Sequence, residues 1–157
     1  MADTNIKETV EALRFSKNSL NSEYVLLITS RKIDPKFQFA GLEVVNIPPI
    51  KSFKEYNDFI IFELFKYINS THALIVQWDG YVINPNKWDN EFLKYDYIGA
   101  PFIPRSQDKK YGKTKEGDFY TIGNGGFSLR SLELLKSAIK FNLKDNINIT
   151  NNHEDGF

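Results

Sequence analysis

The sequence predicts an α/β layered domain on a mostly parallel central sheet, and three observations carry that prediction. Two short, continuous apolar runs, Tyr24-Val25-Leu26-Leu27-Ile28-Thr29 and Ala73-Leu74-Ile75-Val76, suit strands covered on both faces. Stretches with apolar residues at helical spacing lie before, between and after them. The two kinds of segment alternate along the chain, which is how helices come to pack on the faces of a parallel sheet.

Taken in order, Asn5 is a candidate helix N-cap, and Glu8 three residues later completes the pattern of a capping box. Ile6, Val10 and Leu13 then share one helical face, so a helix is expected over 6–17. The run 24–29 is the first strand. Leu42-Glu43-Val44-Val45 reads as a second, which Pro48-Pro49 closes off.

Ser52-Phe53-Lys54-Glu55 is another capping box. Behind it Tyr56, Phe59, Ile60, Leu64, Tyr67 and Ile68 form one apolar stripe, which predicts a helix to about residue 69. Ala73-Leu74-Ile75-Val76 is the clearest buried strand. Asn86 with Asp89 is expected to cap a short helix bearing Trp88, Phe92 and Leu93. Tyr97-Ile98-Gly99-Ala100-Pro101 reads as a strand that its proline ends or places at an edge. From Arg105 to Asp118 the chain is polar and aperiodic, with four lysines and two glycines. A glycine-rich centre follows, and Ser131 then caps a helix with Leu132, Leu135 and Ile139 on one face.

At 157 residues the chain is long enough for one domain with a core, and it reads as a single domain over 1–157. With 20 basic and 20 acidic residues it carries no broad positive field, which argues against nucleic-acid binding. It has no cysteine, which excludes disulfides, thiolate metal sites and a thiol nucleophile. No apolar run approaches the roughly 20 residues that span a bilayer. The polar start at Met1-Ala2-Asp3-Thr4-Asn5 is unlike a signal peptide, so a cytoplasmic protein is expected. The 13 Phe, 8 Tyr and 2 Trp suit a well-packed core, and also a site where rings stack on sugars or bases.

Three constellations are candidates for chemistry. In Gln77-Trp78-Asp79-Gly80 a buried strand delivers a carboxylate to its C-terminal end, where ligands of open α/β sheets sit. A carboxylate there can hold a divalent cation. The same four residues also read as a plain hairpin turn, with Tyr81-Val82-Ile83 as the return strand. In Gly123-Asn124-Gly125-Gly126-Phe127-Ser128-Leu129-Arg130 the glycines allow a ligand close to the backbone, and Arg130 can pair with a phosphate. The competing reading is a flexible hairpin turn. His153-Glu154-Asp155 offers a pair of carboxylates of which one can act as a general base, although an acidic pair is also ordinary solvated surface.

Together the segments Ala73 to Pro85, Tyr95-Asp96-Tyr97-Ile98-Gly99-Ala100-Pro101-Phe102 and Gly123 to Ser131 resemble a glycosyltransferase-like domain family found in bacterial polysaccharide loci and in other genomes. That family is similar to the GT-A glycosyltransferases. The resemblance runs from about Asn5 to Phe157. It implies a Rossmann-like, GT-A-like domain that moves a sugar from a nucleotide-sugar donor to an acceptor hydroxyl of a glycan or similar molecule. Asp79 then stands at the last acidic position of an Asp-x-Asp motif, against a divalent metal (Mn or Mg), the ribose or the diphosphate. Gln77, at the first position, would also line the donor site. Gly125 and Gly126, with Asn124 and Arg130, would line the sugar pocket. Asp155 would be the catalytic base, with Glu154 the second choice.

The family normally has an apolar strand ahead of the part matching Asp3-Thr4-Asn5 and a further segment after Glu154-Asp155-Gly156-Phe157. The resemblance therefore implies a domain shortened at both ends, and with it an alternative: an inactive remnant that keeps the fold and only binds nucleotide or sugar. A metal-dependent hydrolase using Asp79 and Glu154 is a third reading, which nothing in the spacing prefers.

Overall fold

The computed structural model describes residues 4–101 and 122–143. The first helix, α1 (Ile6–Leu20), buries Val10 and Leu13 and ends on Asn21, whose left-handed φ of 51° lets its N–H reach back to the Lys17 carbonyl. Strand β1 (Val25–Thr29) pairs in parallel with β2 (Leu42–Asn46), Val25 opposite Leu42 and Thr29 opposite Asn46. Helix α2 (Phe53–Phe62) follows. The remaining strands, β3 (His72–Ile75), β4 (Tyr97–Pro101) and β5 (Ile122–Ser131), form an antiparallel sheet with β5 in the middle. Helix α3 (Leu132–Lys140) leaves β5 directly. The architecture is mixed α/β, with one parallel pair and one antiparallel three-stranded sheet among the described residues.

Two helical layers cover both sheets. On one side Leu27 of β1 and Val76, just past β3, pack with Val10 and Leu13 of α1. On the other side Ile28 of β1 and Ala73 and Ile75 of β3 pack with Phe59 and Ile60 of α2 and Leu135 of α3. Successive side chains of a strand point to opposite faces, so Leu27 and Ile28 serve different layers. Full burial of a large apolar side chain such as Leu27 or Ile60 contributes about 1.5–3 kcal/mol. Ile61 and Phe62 of α2 close against Ala138 of α3. No helix among the described residues is long and apolar enough to cross a membrane.

Several local expectations are corrected. Asn5 takes a left-handed φ of 52° and its side chain makes no cap hydrogen bond, so the first capping box does not form. In the second, Ser52 caps the helix, its Oγ accepting from Glu55 N at 3.2 Å, while the Glu55 carboxylate reaches back to Lys51 N at 2.8 Å, one residue before the cap. Helix α2 stops at Phe62 rather than near 69. Its apolar stripe continues in a 3₁₀ turn, Leu64–Tyr67, which still buries Leu64 and stacks Tyr67 on Phe59 at 5.9 Å. The expected helix around Trp88 is a pair of 3₁₀ turns, Pro85–Lys87 and Asn90–Lys94, the second capped by Asp89. Ser131 caps α3 as expected, although Ile139 is left 52% exposed at its far end. The polar stretch Arg105 to Asp118 lies outside the described residues.

Candidate functional site

The β3 strand ends at Ile75, and the chain then reverses within four residues. Gln77 N donates to the Gly80 carbonyl at 2.9 Å, and Gly80 N donates to the Gln77 carbonyl at 3.2 Å. Gln77-Trp78-Asp79-Gly80 is therefore a tight turn, as one sequence reading required. Tyr81-Val82-Ile83 is not a return strand. Val82 N instead donates to Ser16 Oγ on α1 at 3.2 Å, which carries the chain off the sheet. The turn leaves Trp78 and Asp79 exposed at its tip and Gln77 half-buried beneath.

The glycine-rich segment is no turn. It lies inside β5, where β4 pairs Gly99 with Ser128 and Ala100 with Asn124 and leaves Gly125 to Phe127 between them as a bulge, while the β3 ladder reaches only to Ser128. Pairing with β4 on either side of the bulge keeps the segment within the strand against the turn preference of Asn-Gly. The ladder sets Ile75 opposite Ser128 and Leu74 opposite Leu129. Continuing the same row past Ile75 brings Gln77 against Gly126. A Cβ built on Gly126 would lie 2.6 Å from Gln77 Oε1 and 3.0 Å from Gln77 Cδ. Gly80 likewise faces the segment, since a Cβ there would come within 3.0 Å of Phe127 Cβ. Neither glycine has a positive φ, so closeness, not turn geometry, is what keeps both positions without a side chain.

Gln77 Nε2 reaches the Tyr56 hydroxyl in the first turns of α2 at a long 3.5 Å. Read from the sequence, Tyr56 is only part of the α2 stripe. Its place beside Gln77 follows from the row of β3 side chains that faces α2, which includes Ala73 and Ile75.

Below the glycines sits a buried polar row. Ser128 Oγ donates to the Gly125 carbonyl at 2.9 Å and accepts from Arg130 Nε at 3.1 Å. Arg130 is 2% exposed, and its guanidinium lies over the Tyr97 ring at 5.4 Å. Arg130 stands opposite Ala73, four positions before Gln77 and so about 13 Å back along the strand. It supports the glycine segment from beneath rather than standing on its rim. Asn124 is a backbone partner of Ala100, where the β4–β5 register shifts.

The structure thus brings together Gln77, Asp79, Gly80, Gly125 and Gly126, with Arg130 behind them. Glu154 and Asp155 lie outside the described residues. Among the described residues no group of three or more His, Asp or Glu could hold a metal ion. Asp79 alone offers one exposed carboxylate. That fits a hexacoordinate cation such as Mg²⁺ only where a substrate's phosphates and water complete the shell.

Compared with known proteins, residues 40–157 match the model of a family described as Protein of unknown function (DUF5672). No curated protein and no solved structure matches the chain.

Proposed function

The chain belongs to the DUF5672 family, which matches it over about three quarters of its length; that description names no activity, and from the site itself we propose that the protein transfers a sugar from a nucleotide-sugar donor to an acceptor hydroxyl. The single observation that carries this reading is the packing of Gln77 and Gly80 against Gly126 and Phe127. It joins a strand-end carboxylate turn to the glycine-rich segment, with the Gln77 carboxamide lying over Gly126. A donor diphosphate bound beside that carboxamide would remain within reach of Asp79. A GT-A-like, Rossmann-like arrangement belongs to this proposal. So does a cytoplasmic setting.

In this reading Asp79 holds the diphosphate end of the donor, directly or as the protein ligand of a Mg²⁺ or Mn²⁺ ion. Such an ion, when bound, would offset the diphosphate charge. Gln77 is neutral and adds hydrogen-bonding capacity, not charge. The backbone of Gly125 and Gly126, held by Ser128 and Arg130, lines the donor sugar. The acceptor oxygen attacks the anomeric carbon. The bond from that carbon to the diphosphate oxygen breaks, and the diphosphate leaves with the electron pair. The hydroxyl proton passes to Asp155, or failing that to Glu154. This gives inversion at the anomeric carbon.

The test is thermal melting of the full chain with a panel of nucleoside diphosphates and nucleotide-sugars, with and without Mn²⁺. A ligand at 100 times its Kd stabilises the fold by about 2.7 kcal/mol. Asp79→Asn is expected to abolish the shift, and an unchanged shift would remove Asp79 from the site. Where a donor binds, hydrolysis of it that survives Asp155→Asn would overturn the proposed base.

A further inference from the structure

On the face of the antiparallel sheet opposite Gln77 and Arg130, the molecule has a cavity of about 390 Å³. Leu74 of β3, Leu129 of β5 and Ile98 of β4 form its floor. They are neighbours across two ladders, with Leu74 opposite Leu129 and Ile98 opposite Leu129. The excursion after the Asp79 turn builds the wall, where Trp88 and Phe92 pack edge to face at 5.7 Å. The volume falls in the range of sites for small molecules, roughly 300–1,000 Å³.

The mouth decides what fits. Tyr81 and Ile83 stand there, Ile83 at 78% exposure. An isoleucine this exposed, beside an apolar cavity, extends the apolar surface from the interior to solvent. Lys87 is the one charged residue among those lining the cavity, and its ammonium takes part in no ion pair among the described residues. Lys87 is exposed, so its ammonium meets a ligand at the mouth, while a sugar or nucleotide would leave its hydroxyls without partners on a floor of leucine and isoleucine.

We propose that this cavity holds the hydrocarbon chain of a single-chain anionic amphiphile, such as an alkyl phosphate or a fatty acid, with its head paired to Lys87. The chain lies between the sheet floor and Trp88, and the head stays at the mouth in water. The site is separate from the Gln77–Gly126 side of the sheet and stands independently of the transferase reading.

The experiment follows Trp88 emission in a Trp78→Phe background, titrating dodecyl phosphate below its micelle concentration. Dodecanoate, dodecanol and dodecyltrimethylammonium are titrated in parallel. Saturable 1:1 binding of the two anions is expected, with the cation weakest. Shortening the chain should weaken binding by up to about fourfold per methylene. Lys87→Glu should lower affinity for the anions by about threefold to fivefold and favour the cation.

Ile83→Asp, at an exposed position that does not threaten folding, should weaken the two anions and dodecanol. Ala100→Leu should do the same by filling the cavity. The anion head would be overturned by equal affinity for dodecanol and dodecyl phosphate, indifferent to Lys87→Glu. Absence of saturable binding by any chain would overturn the site altogether. So would concentration-dependent self-association that Ile83→Asp abolishes without any uptake of amphiphile, which would assign the mouth to a second copy of the chain.

Discussion

The Gln77 carboxamide oxygen lies 2.6 Å from the point that a Cβ on Gly126 would occupy. Two residues 49 positions apart are thereby in van der Waals contact, and the contact can be tested without knowing any ligand. Gly126→Ala is expected to destabilise the fold by about 1–3 kcal/mol, because the added methyl meets a side chain held in place by Tyr56. In a Gln77→Ala background the same change should cost at least about 1 kcal/mol less. Urea denaturation of the four proteins of this cycle measures both quantities. Equal costs in the two backgrounds would mean that Gln77 does not press on Gly126.

Asp79 makes a contrasting case. It is exposed at the tip of the turn, and the turn is closed by the backbone of Gln77 and Gly80 rather than by the carboxylate. Asp79→Asn should therefore leave stability within about 0.5 kcal/mol of the parent. A large loss of stability in the same urea experiment would give Asp79 a structural role and weaken its use as a ligand. The carboxylate is free for chemistry only if the fold does not need it.

Arg130 should behave in the opposite way. It is 2% exposed and gives its Nε to Ser128, which in turn holds the Gly125 carbonyl. Arg130→Met keeps much of the apolar stem but removes a charged donor, at an expected cost of about 1.5–3 kcal/mol. Arg130→Lys should not restore the loss, because the ammonium cannot reproduce a planar guanidinium that both donates from Nε and lies over Tyr97. Full recovery by lysine would show that charge alone matters there. The readout is the midpoint of chemical denaturation for the three proteins.

These contacts also show how far the sequence could be read. The strands at 25–29 and 72–75 were legible as continuous apolar runs, and those at 42–46 and 97–101 as shorter apolar stretches that prolines close off. The cap at Ser52 was legible because its partner is local. The cap at Asn5 was misread for a backbone reason: with φ at 52° the residue enters the helix left-handed, and no spacing rule reports that. The glycine segment was misread for a tertiary one. Gly123 to Gly126 spells a turn, yet the β4 pairs at Asn124 and Ser128 keep it within β5 as a bulge. The end of α2 at Phe62 was also hidden, since the 3₁₀ turn that follows keeps the apolar stripe going. In the site, each motif was legible by itself. Their contact was not, because it depends on the β3–β5 register, and the role of Tyr56 depends on that same register plus the placement of α2.

The junction of β5 with α3 offers the clearest comparison of two caps. Ser131 Oγ accepts from Leu134 N at 3.0 Å, which satisfies one free N–H of the helix start. The same hydroxyl donates to the Asp96 carboxylate at 2.5 Å, and Ser131 N donates to the Asp96 carbonyl at 2.9 Å. Ser131 therefore fastens a helix and also ties the residue before β4 to the end of β5. Ser52 fastens only α2, through Glu55 N. Ser52→Ala should cost about 0.5–1 kcal/mol, in the lower part of the range for N-caps. Ser131→Ala removes a cap and also the charge-assisted bond to the exposed Asp96 carboxylate, so its cost should exceed that of Ser52→Ala by about 1 kcal/mol. Asp96→Asn keeps an acceptor for the hydroxyl and should fall between them. Thermal and urea denaturation of the three single variants decide the order. Should Ser131→Ala and Ser52→Ala prove equal, the Asp96 link contributes nothing, and the β4 end of the sheet is held by its backbone ladder alone.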